Sequence, residues 1–329
     1  MSETPTNPTP AVPPAASPAP TAAPVPASAP VAKAPPATPA APVATPAPAA
    51  TAAPVPVAAA AAVAPAPKPA EPVKFTSRPM RIGVYHFLNV QPLTWEMSKH
   101  HKIIEVAPNQ MSKLLKEGRV DVAIAPIAAY IKDPSLQIVP IAAVGCKGPV
   151  KSVRLISNEP LSRTQRLFVD DRSETSVLLA RLILKKWYGV KGLKVVSVDM
   201  ANFHPQQVKP WEAVLQFGDI ALESAPSGMT VTDLGEEWFF HTQKPFVFAV
   251  WMTNSVPVAR EIEQDLLACR NEGVKHFQEI ADSYPGIWVF HHNQAKEYLE
   301  KNIRYEYGPE EVKGHQEFQR LLKEEGLIF

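Results

Sequence analysis

The sequence predicts a two-lobed α/β protein that follows a long unfolded segment rich in alanine and proline. The first observation is compositional, because 22 of the 37 prolines fall within residues 1–72. The second is that strand-like and helix-like stretches alternate through most of residues 80–329, the pattern of parallel βαβ units. The third is a pair of extended segments and a late, almost wholly apolar strand. These indicate that the chain crosses between two lobes and returns, with a ligand expected between them.

Residues 1–74 are predicted to form a disordered tail. They are almost entirely Ala, Pro, Thr, Ser and Val, and Glu3, Lys33 and Lys68 are the only charges before Glu71. Repeated proline removes backbone donors and fixes φ, which favours an extended, polyproline-like tether. The first residues lack the basic and apolar regions of a signal peptide. No partner of the tail is indicated.

Composition argues against several functions for the folded part. The net charge is +1, so nothing favours nucleic acid or an anionic membrane as a partner. No apolar run reaches the ~18 residues that indicate a transmembrane helix. Cys146 and Cys269 are far apart, which fits buried thiols in a cytoplasmic protein better than a zinc site. The adjacent pairs His100–His101 and His291–His292 are not expected to bind a metal.

The first lobe is predicted from alternating short apolar runs and amphipathic stretches. Arg81–Tyr85 and Val120–Ala125 are typical of buried strands, and Pro126 ends the second. The elements predicted between them are a helix over 92–99, a strand over 103–106, and a helix over 111–117 that Gly118 can end.

The second lobe repeats this pattern. A strand over 166–170 precedes a helix over 174–187, whose leucines are spaced for one buried face. Further strands are predicted over 194–197 and 217–222.

Two crossings are expected to join the lobes. Segments 136–144 and 151–157 are extended, and Pro245–Trp251 is apolar enough for a strand buried on both faces. From Val256 onward the chain is predicted to be mostly helical. The predicted division is a tail (1–74), a first lobe (75–157 with 246–329) and a second lobe (158–245).

Polar residues at the ends of predicted strands are the candidates for a binding site. Asn89 follows the first strand, where an open α/β sheet binds its ligands. Ser173, Thr175 and Ser176 begin a helix, whose free N–H groups and dipole favour a carboxylate. An ordinary helix cap by Ser173 is an equal alternative at this point.

Two other candidates have stronger structural alternatives. Ser152 follows the Gly148-Pro149 turn, and its own pattern favours an ordinary strand serine over a ligand contact. Asp219 follows Gly218 and either faces the cleft or caps a neighbouring element.

Four segments together resemble the chorismate dehydratases, the first enzymes of the futalosine route to menaquinone. They occur in the family's order and are Arg81–Leu93, Gly145–Val153, Asp170–Ser176 and Phe217–Leu222. The resemblance covers nearly all of residues 80–253. It implies a type II periplasmic-binding-protein-like fold and a lyase that dehydrates chorismate to 3-[(1-carboxyvinyl)oxy]benzoate. No metal, nicotinamide or flavin is implied.

The resemblance also implies roles for the candidate residues. Asn89 and Ser152 would be catalytic, and the substrate would be bound by Ser173, Thr175, Ser176, Asp219 and His86. The proton acceptor would be the enolpyruvyl carboxylate of the substrate, with His86 at the strand end as the rival base. Two other functions remain open, a non-catalytic two-lobed binder of an aromatic carboxylate and the sister dihydroxynaphthoate synthase.

A first prediction concerns the tail. A protein that begins at Phe75 should retain the activity and melting temperature of the full chain, because the Pro/Ala-rich segment cannot bury a core. Parallel melting curves and steady-state assays of the two proteins check this. A large fall in either quantity would contradict it.

Overall fold

Two mixed β-sheets, each packed against helices, form the folded part of the protein. They are seen in a computed structural model, which describes residues 72–285 and 292–329. The predicted disorder of the tail concerns residues that lie almost wholly outside this described part. Among the described residues, no helix has the length and apolar character needed to cross a bilayer.

The strands and helices follow the predicted alternation closely. The strands are β1 (Arg81–Val84), β2 (Lys102–Glu105), β3 (Val122–Pro126), β4 (Gln137–Cys146), β5 (Val153–Ser157), β6 (Arg166–Val169), β7 (Lys194–Ser197), β8 (Glu212–Phe217), β9 (Thr230–Asp233), β10 (Phe246–Thr253) and β11 (Arg304–Glu306). The helices are α1 (Met111–Lys116), α2 (Ile127–Lys132), α3 (Glu174–Lys186), α4 (Leu234–Thr242), α5 (Val256–Gly273), α6 (Phe277–Ser283), α7 (His292–Glu297) and α8 (Pro309–Glu324). The helix predicted over 92–99 is instead a pair of 3₁₀ turns, Leu88–Thr94 and Met97–Lys99.

The first sheet has six strands in the order β11-β4-β10-β3-β1-β2. Strand β1 pairs in parallel with β2 and β3, as the βαβ pattern predicts. Strand β10 then runs antiparallel between β3 and β4. Seven of its eight residues are buried, which confirms the prediction of a strand covered on both faces.

The second sheet has five strands in the order β7-β6-β8-β5-β9. Strand β5 pairs with β8 and β9, so Val153–Ser157 belongs to this sheet and not to the first lobe, where we had expected it. The first crossing therefore lies between Cys146 and Val153. The strand predicted over 217–222 is also wrong in position, because β8 ends at Phe217 and Asp219–Leu222 is a 3₁₀ turn.

One apolar core runs through both sheets. Trp251 and Phe246 of β10 are fully buried, as are Trp238 of α4 and Phe318 of α8. Rings of Trp238, Phe246 and Phe318 contact one another edge to face. Cys146 and Cys269 are free, buried thiols, as predicted, and burial raises the pKa of Cys269 to about 12. The core thus joins the two lobes through β10 and its neighbours.

Helix α5 fixes the position of the turn that carries Asn89. Its last residue, Gly273, lies against Pro92 within the Leu88–Thr94 turn, and a Cβ on Gly273 would lie 2.0 Å from the Pro92 carbonyl oxygen. Only glycine permits this approach without a shift of backbone. The contact links the long C-terminal helix to the polar turn after β1.

We predict that Gly273→Ala destabilises the protein by about 1–3 kcal/mol through overpacking. In an unconstrained helix the same change would stabilise by up to about 1 kcal/mol, so the sign of the effect tests the contact. Urea denaturation provides the measurement. Asn271→Ala, at an exposed position of the same helix, is the control and should change stability by less than about 0.5 kcal/mol. An increase in the stability of Gly273→Ala would refute the close approach.

Candidate functional site

A cavity of about 50 Å³ lies where the two sheets meet, and it is partly open to solvent. Val144 and Ala249 come from the first sheet and Tyr85 directly follows its strand β1, while Val153 and Phe217 come from the second sheet. The 3₁₀ turn after β1 and the N-terminus of α3 complete the wall.

Five of the seven residues predicted from the sequence line this cavity, namely Asn89, Ser152, Ser173, Thr175 and Ser176. Gly218 also lines it, but its neighbour Asp219 does not. His86 is outside the lining and is exposed. The fold therefore brings together five predicted residues that are far apart in the chain, and it places Asp219 and His86 outside the cavity lining.

Asn89 is held in the 3₁₀ turn that directly follows β1. The residue is 9% exposed, and its Nδ2 donates a hydrogen bond of 3.0 Å to the hydroxyl of Tyr298. Its Oδ1 is buried and accepts no hydrogen bond from the described residues. A buried, unpaired acceptor typically costs about 1–3 kcal/mol. A ligand that donates to this oxygen would recover that free energy.

Ser152 lies in the crossing just before β5. Its N–H donates to the Val150 carbonyl at 2.7 Å, and its own carbonyl accepts from Gly218 N–H at 2.9 Å. The side chain is 1% exposed, and its Oγ accepts a 2.8 Å hydrogen bond from the Tyr298 hydroxyl. These bonds fix Ser152 between the two sheets, at the wall of the cavity.

The N-terminus of α3 supplies three hydroxyl groups. Ser173 precedes the helix, but its side chain does not cap it and instead donates to Ser176 Oγ at 2.7 Å. The capping alternative is therefore wrong. Thr175 Oγ1 accepts from the N–H of Ala128 at 3.2 Å and keeps its own proton for another acceptor. This leaves the first turn of a 13-residue helix facing the cavity with hydroxyls beside it.

Asp219 braces the turn that carries Asn89. Its Oδ1 accepts from Leu88 N–H at 3.2 Å, and its Oδ2 accepts from the Tyr284 hydroxyl at 2.5 Å. Burial raises the pKa of Asp219, and these two hydrogen bonds oppose the rise. The contacts correspond to the structural alternative, in which Asp219 supports a neighbouring element.

His86 contacts Tyr284, the residue that also holds Asp219. Its ring stacks on Tyr284 at a centroid separation of 5.1 Å, and its carbonyl accepts a long 3.4 Å contact from the Tyr284 hydroxyl. The ring is thus engaged with Tyr284, and the residue does not line the cavity.

The cavity lining is uncharged and mostly apolar, with hydroxyl and amide groups from Asn89, Ser152 and the start of α3. None of its described residues is an Asp, Glu, His, Lys, Arg or Cys, and its one titratable group is Tyr85. Burial raises the pKa of Tyr85, so the phenol keeps its proton at neutral pH. Hydroxyls, an amide and a helix N-terminus can bind carboxylates. None of these lining groups is a general base for work near neutral pH.

His100, His101 and Asp265 form the one cluster of described residues with metal-ligand spacing. His101 Nδ1 accepts from Met80 N–H at 3.2 Å, and His100 Nε2 lies 2.7 Å from the Ser77 carbonyl, to which it must donate. Asp265 accepts bonds from the backbone and hydroxyls of Thr76 and Ser77. His101 Nδ1 and both carboxylate oxygens of Asp265 are engaged in these hydrogen bonds, which anchor the start of the folded chain.

Tyr298 is the member of the site that sequence reasoning missed. It is the first residue of a one-turn π-helix, Tyr298–Asn302, which continues α7. It is separated by 209 residues from Asn89 and by 146 from Ser152. No motif marks it, although π-helical turns often occur at functional sites.

Comparisons with known proteins agree with this architecture. A solved structure of a protein from Archaeoglobus fulgidus has a TM-score of 0.58 at 14% identity, over 76% of this chain and 98% of that one. The periplasmic aliphatic sulphonate binding protein of Escherichia coli has a TM-score of 0.50 at 15% identity, over 77% and 94% of the two chains. These likenesses confirm the predicted periplasmic-binding-protein-like fold.

Sequence comparison gives a narrower result. The chain is 28% identical over 249 residues to a chorismate dehydratase of Thermus thermophilus, an alignment that covers 69% of this chain and 89% of the relative. The model of a family described as menaquinone biosynthesis matches residues 80–324, which is nearly all of the folded part. The protein therefore belongs to the menaquinone biosynthesis family, in agreement with the resemblance carried by its four motifs.

Proposed function

We propose that this protein is a hydro-lyase that converts chorismate to 3-[(1-carboxyvinyl)oxy]benzoate and water. The similarity to a chorismate dehydratase supports the substrate. The observation that carries the mechanism is the uncharged lining of the cavity. A site with hydroxyl and amide groups but no ionisable base suits a substrate that brings its own carboxylates.

The chemistry follows from the substrate. The ring proton beside the enol ether is vinylogous to the ring carboxylate, so its removal gives a delocalised carbanion. The enolpyruvyl carboxylate of the same molecule takes this proton. The neighbouring C–O bond then breaks and the ring becomes aromatic. The departing hydroxyl takes up the proton that the enolpyruvyl carboxyl had accepted, which gives water and regenerates the carboxylate. The protein has to hold both carboxylates, exclude bulk water and fix the geometry.

The candidate residues divide between binding and chemistry. The hydroxyls of Thr175 and Ser176, beside the first turn of α3, would bind one carboxylate, with Ser173 held against Ser176. Asn89 and Ser152 would contact the reacting part of the substrate. His86 is a poor rival for the base because it is exposed and stacked on Tyr284 outside the cavity. Asp219 would act by supporting the Asn89 turn.

Incubation of the purified protein with chorismate tests the proposed activity. Product should accumulate, detected by its aromatic absorbance and its mass. Asn89→Ala should lower kcat by roughly 10²-fold or more, the scale for one preorganised polar group. His86→Asn should retain most of the activity. If His86→Asn abolishes turnover and Asn89→Ala leaves kcat intact, a histidine base replaces the substrate carboxylate.

A second prediction separates binding from chemistry. Ser176→Ala should raise KM more than it lowers kcat, because the α3 hydroxyls hold the carboxylate equally in the ground state and the transition state. Steady-state kinetics, with calorimetry of product binding, provide the measurement. Ser173→Ala is the matched control, since its hydroxyl is engaged with Ser176 and its loss should raise KM less. A fall in kcat at unchanged KM in Ser176→Ala would contradict the assignment.

A further inference from the structure

The hydroxyl of Tyr298 joins the two side chains proposed to act in catalysis. It lies 3.0 Å from Asn89 Nδ2 and 2.8 Å from Ser152 Oγ. Tyr298 is 2% exposed and does not line the cavity, whereas Asn89 and Ser152 both do. It therefore touches the reacting groups of the protein and not the substrate.

The direction of these hydrogen bonds determines which of the two side chains can donate a hydrogen bond to a ligand and which can accept one. A phenol has one proton, and here it is donated to Ser152 Oγ, while the phenol oxygen accepts from the Asn89 amide. Ser152 keeps its own proton to donate elsewhere. The Asn89 amide is fixed with its nitrogen on Tyr298, and its Oδ1 has no partner among the described residues.

We propose that Tyr298 is a positioning residue that sets the polarity of the catalytic pair, so that Ser152 presents a donor and Asn89 presents an acceptor. The inference rests on the proposed dehydration of chorismate. In that substrate the carboxylates only accept hydrogen bonds, and the ring hydroxyl can donate. Ser152 then binds a carboxylate oxygen, and Asn89 Oδ1 accepts a hydrogen bond from the ring hydroxyl of the bound substrate and so orients the ring before the proton is removed.

Direct proton transfer by Tyr298 is a different role. Burial raises the pKa of Tyr298, so that it remains a protonated phenol near neutral pH. Its hydroxyl is also fully occupied between Asn89 and Ser152. We therefore expect its effect on the reaction to pass through those two residues.

Tyr298→Phe removes the hydroxyl and leaves the buried ring in place. We expect kcat to fall by roughly 10- to 100-fold, the scale for small displacements of reacting groups. The shape of the pH–rate profile should not change. Tyr305→Phe is the matched control, because Tyr305 is also buried and its hydroxyl has no partner among the described residues. It should retain the wild-type kcat and melt near the wild-type temperature, whereas Tyr298→Phe, which leaves the buried amide of Asn89 unpaired, should melt several degrees lower.

A double-mutant cycle shows whether Tyr298 acts through its neighbours. In an Asn89→Ala background, Tyr298→Phe should cost much less than in the wild type, because the group it orients is gone. Fully multiplicative losses would overturn the proposal. So would a Tyr298→Phe enzyme as active as Tyr305→Phe, or the disappearance of one limb of the pH profile.

An NMR measurement keeps the test independent of the proposed reaction. The side-chain amide signals of Asn89, assigned by their loss in Asn89→Ala, should shift and exchange faster with solvent in Tyr298→Phe but not in Tyr305→Phe. Unchanged signals would refute the positioning role even in a protein that dehydrates chorismate. Failure of the wild type to convert chorismate, with the shift present, would instead refute the proposed function and leave the hydrogen-bond network in place.

Discussion

The architecture depends on strand β10, which runs antiparallel between β3 and β4 and is hydrogen-bonded to both. The chain leaves the first sheet after β4 and forms the whole second sheet. It must then return to the first sheet as β10, in the position between β3 and β4. This requirement fixes two crossings and brings the edges of the two sheets together. Phe248 and Ala249 of β10 line the cavity, so the strand that joins the lobes also forms part of the site.

The site is built from neutral groups, and this has a physical advantage for a substrate with two carboxylates. A buried lysine or arginine would hold an anion tightly but would also lower the basicity of the carboxylate that we propose as the proton acceptor. Hydroxyls and the first turn of α3 bind an anion with less effect on its charge. The carboxyl group of Asp219, which supports the Asn89 turn, is held by Leu88 and Tyr284 and lies outside the lining.

Most of the fold could be predicted from the sequence, because strands and helices are marked by patterns of neighbouring residues. Alternating apolar runs gave the βαβ units, and the continuous apolar stretch of β10 gave its burial on both faces. Errors occurred where pairing decided the outcome. Val153–Ser157 is a strand by its own pattern, but only its hydrogen bonds to β8 and β9 assign it to the second sheet. Residues 217–222 are apolar enough to be predicted as a strand. Gly218, however, has a φ of +72°, and the chain turns there.

Part of the candidate site could be predicted from the sequence, because the end of a strand and the start of a helix are marked by local patterns. Asn89 and the hydroxyls at the start of α3 could be identified because each directly follows a strand, β1 in the first sheet and β6 in the second, and α/β sheets bind ligands at such strand ends. Only the tertiary structure showed that Asp219 supports the Asn89 turn and that Tyr298 lies between Asn89 and Ser152. Each depends on hydrogen bonds between side chains whose orientation is set by packing, and in the case of Tyr298 the partners are 146 and 209 residues away. Periodicity and motifs describe neighbours along the chain, so they carry no information about such contacts.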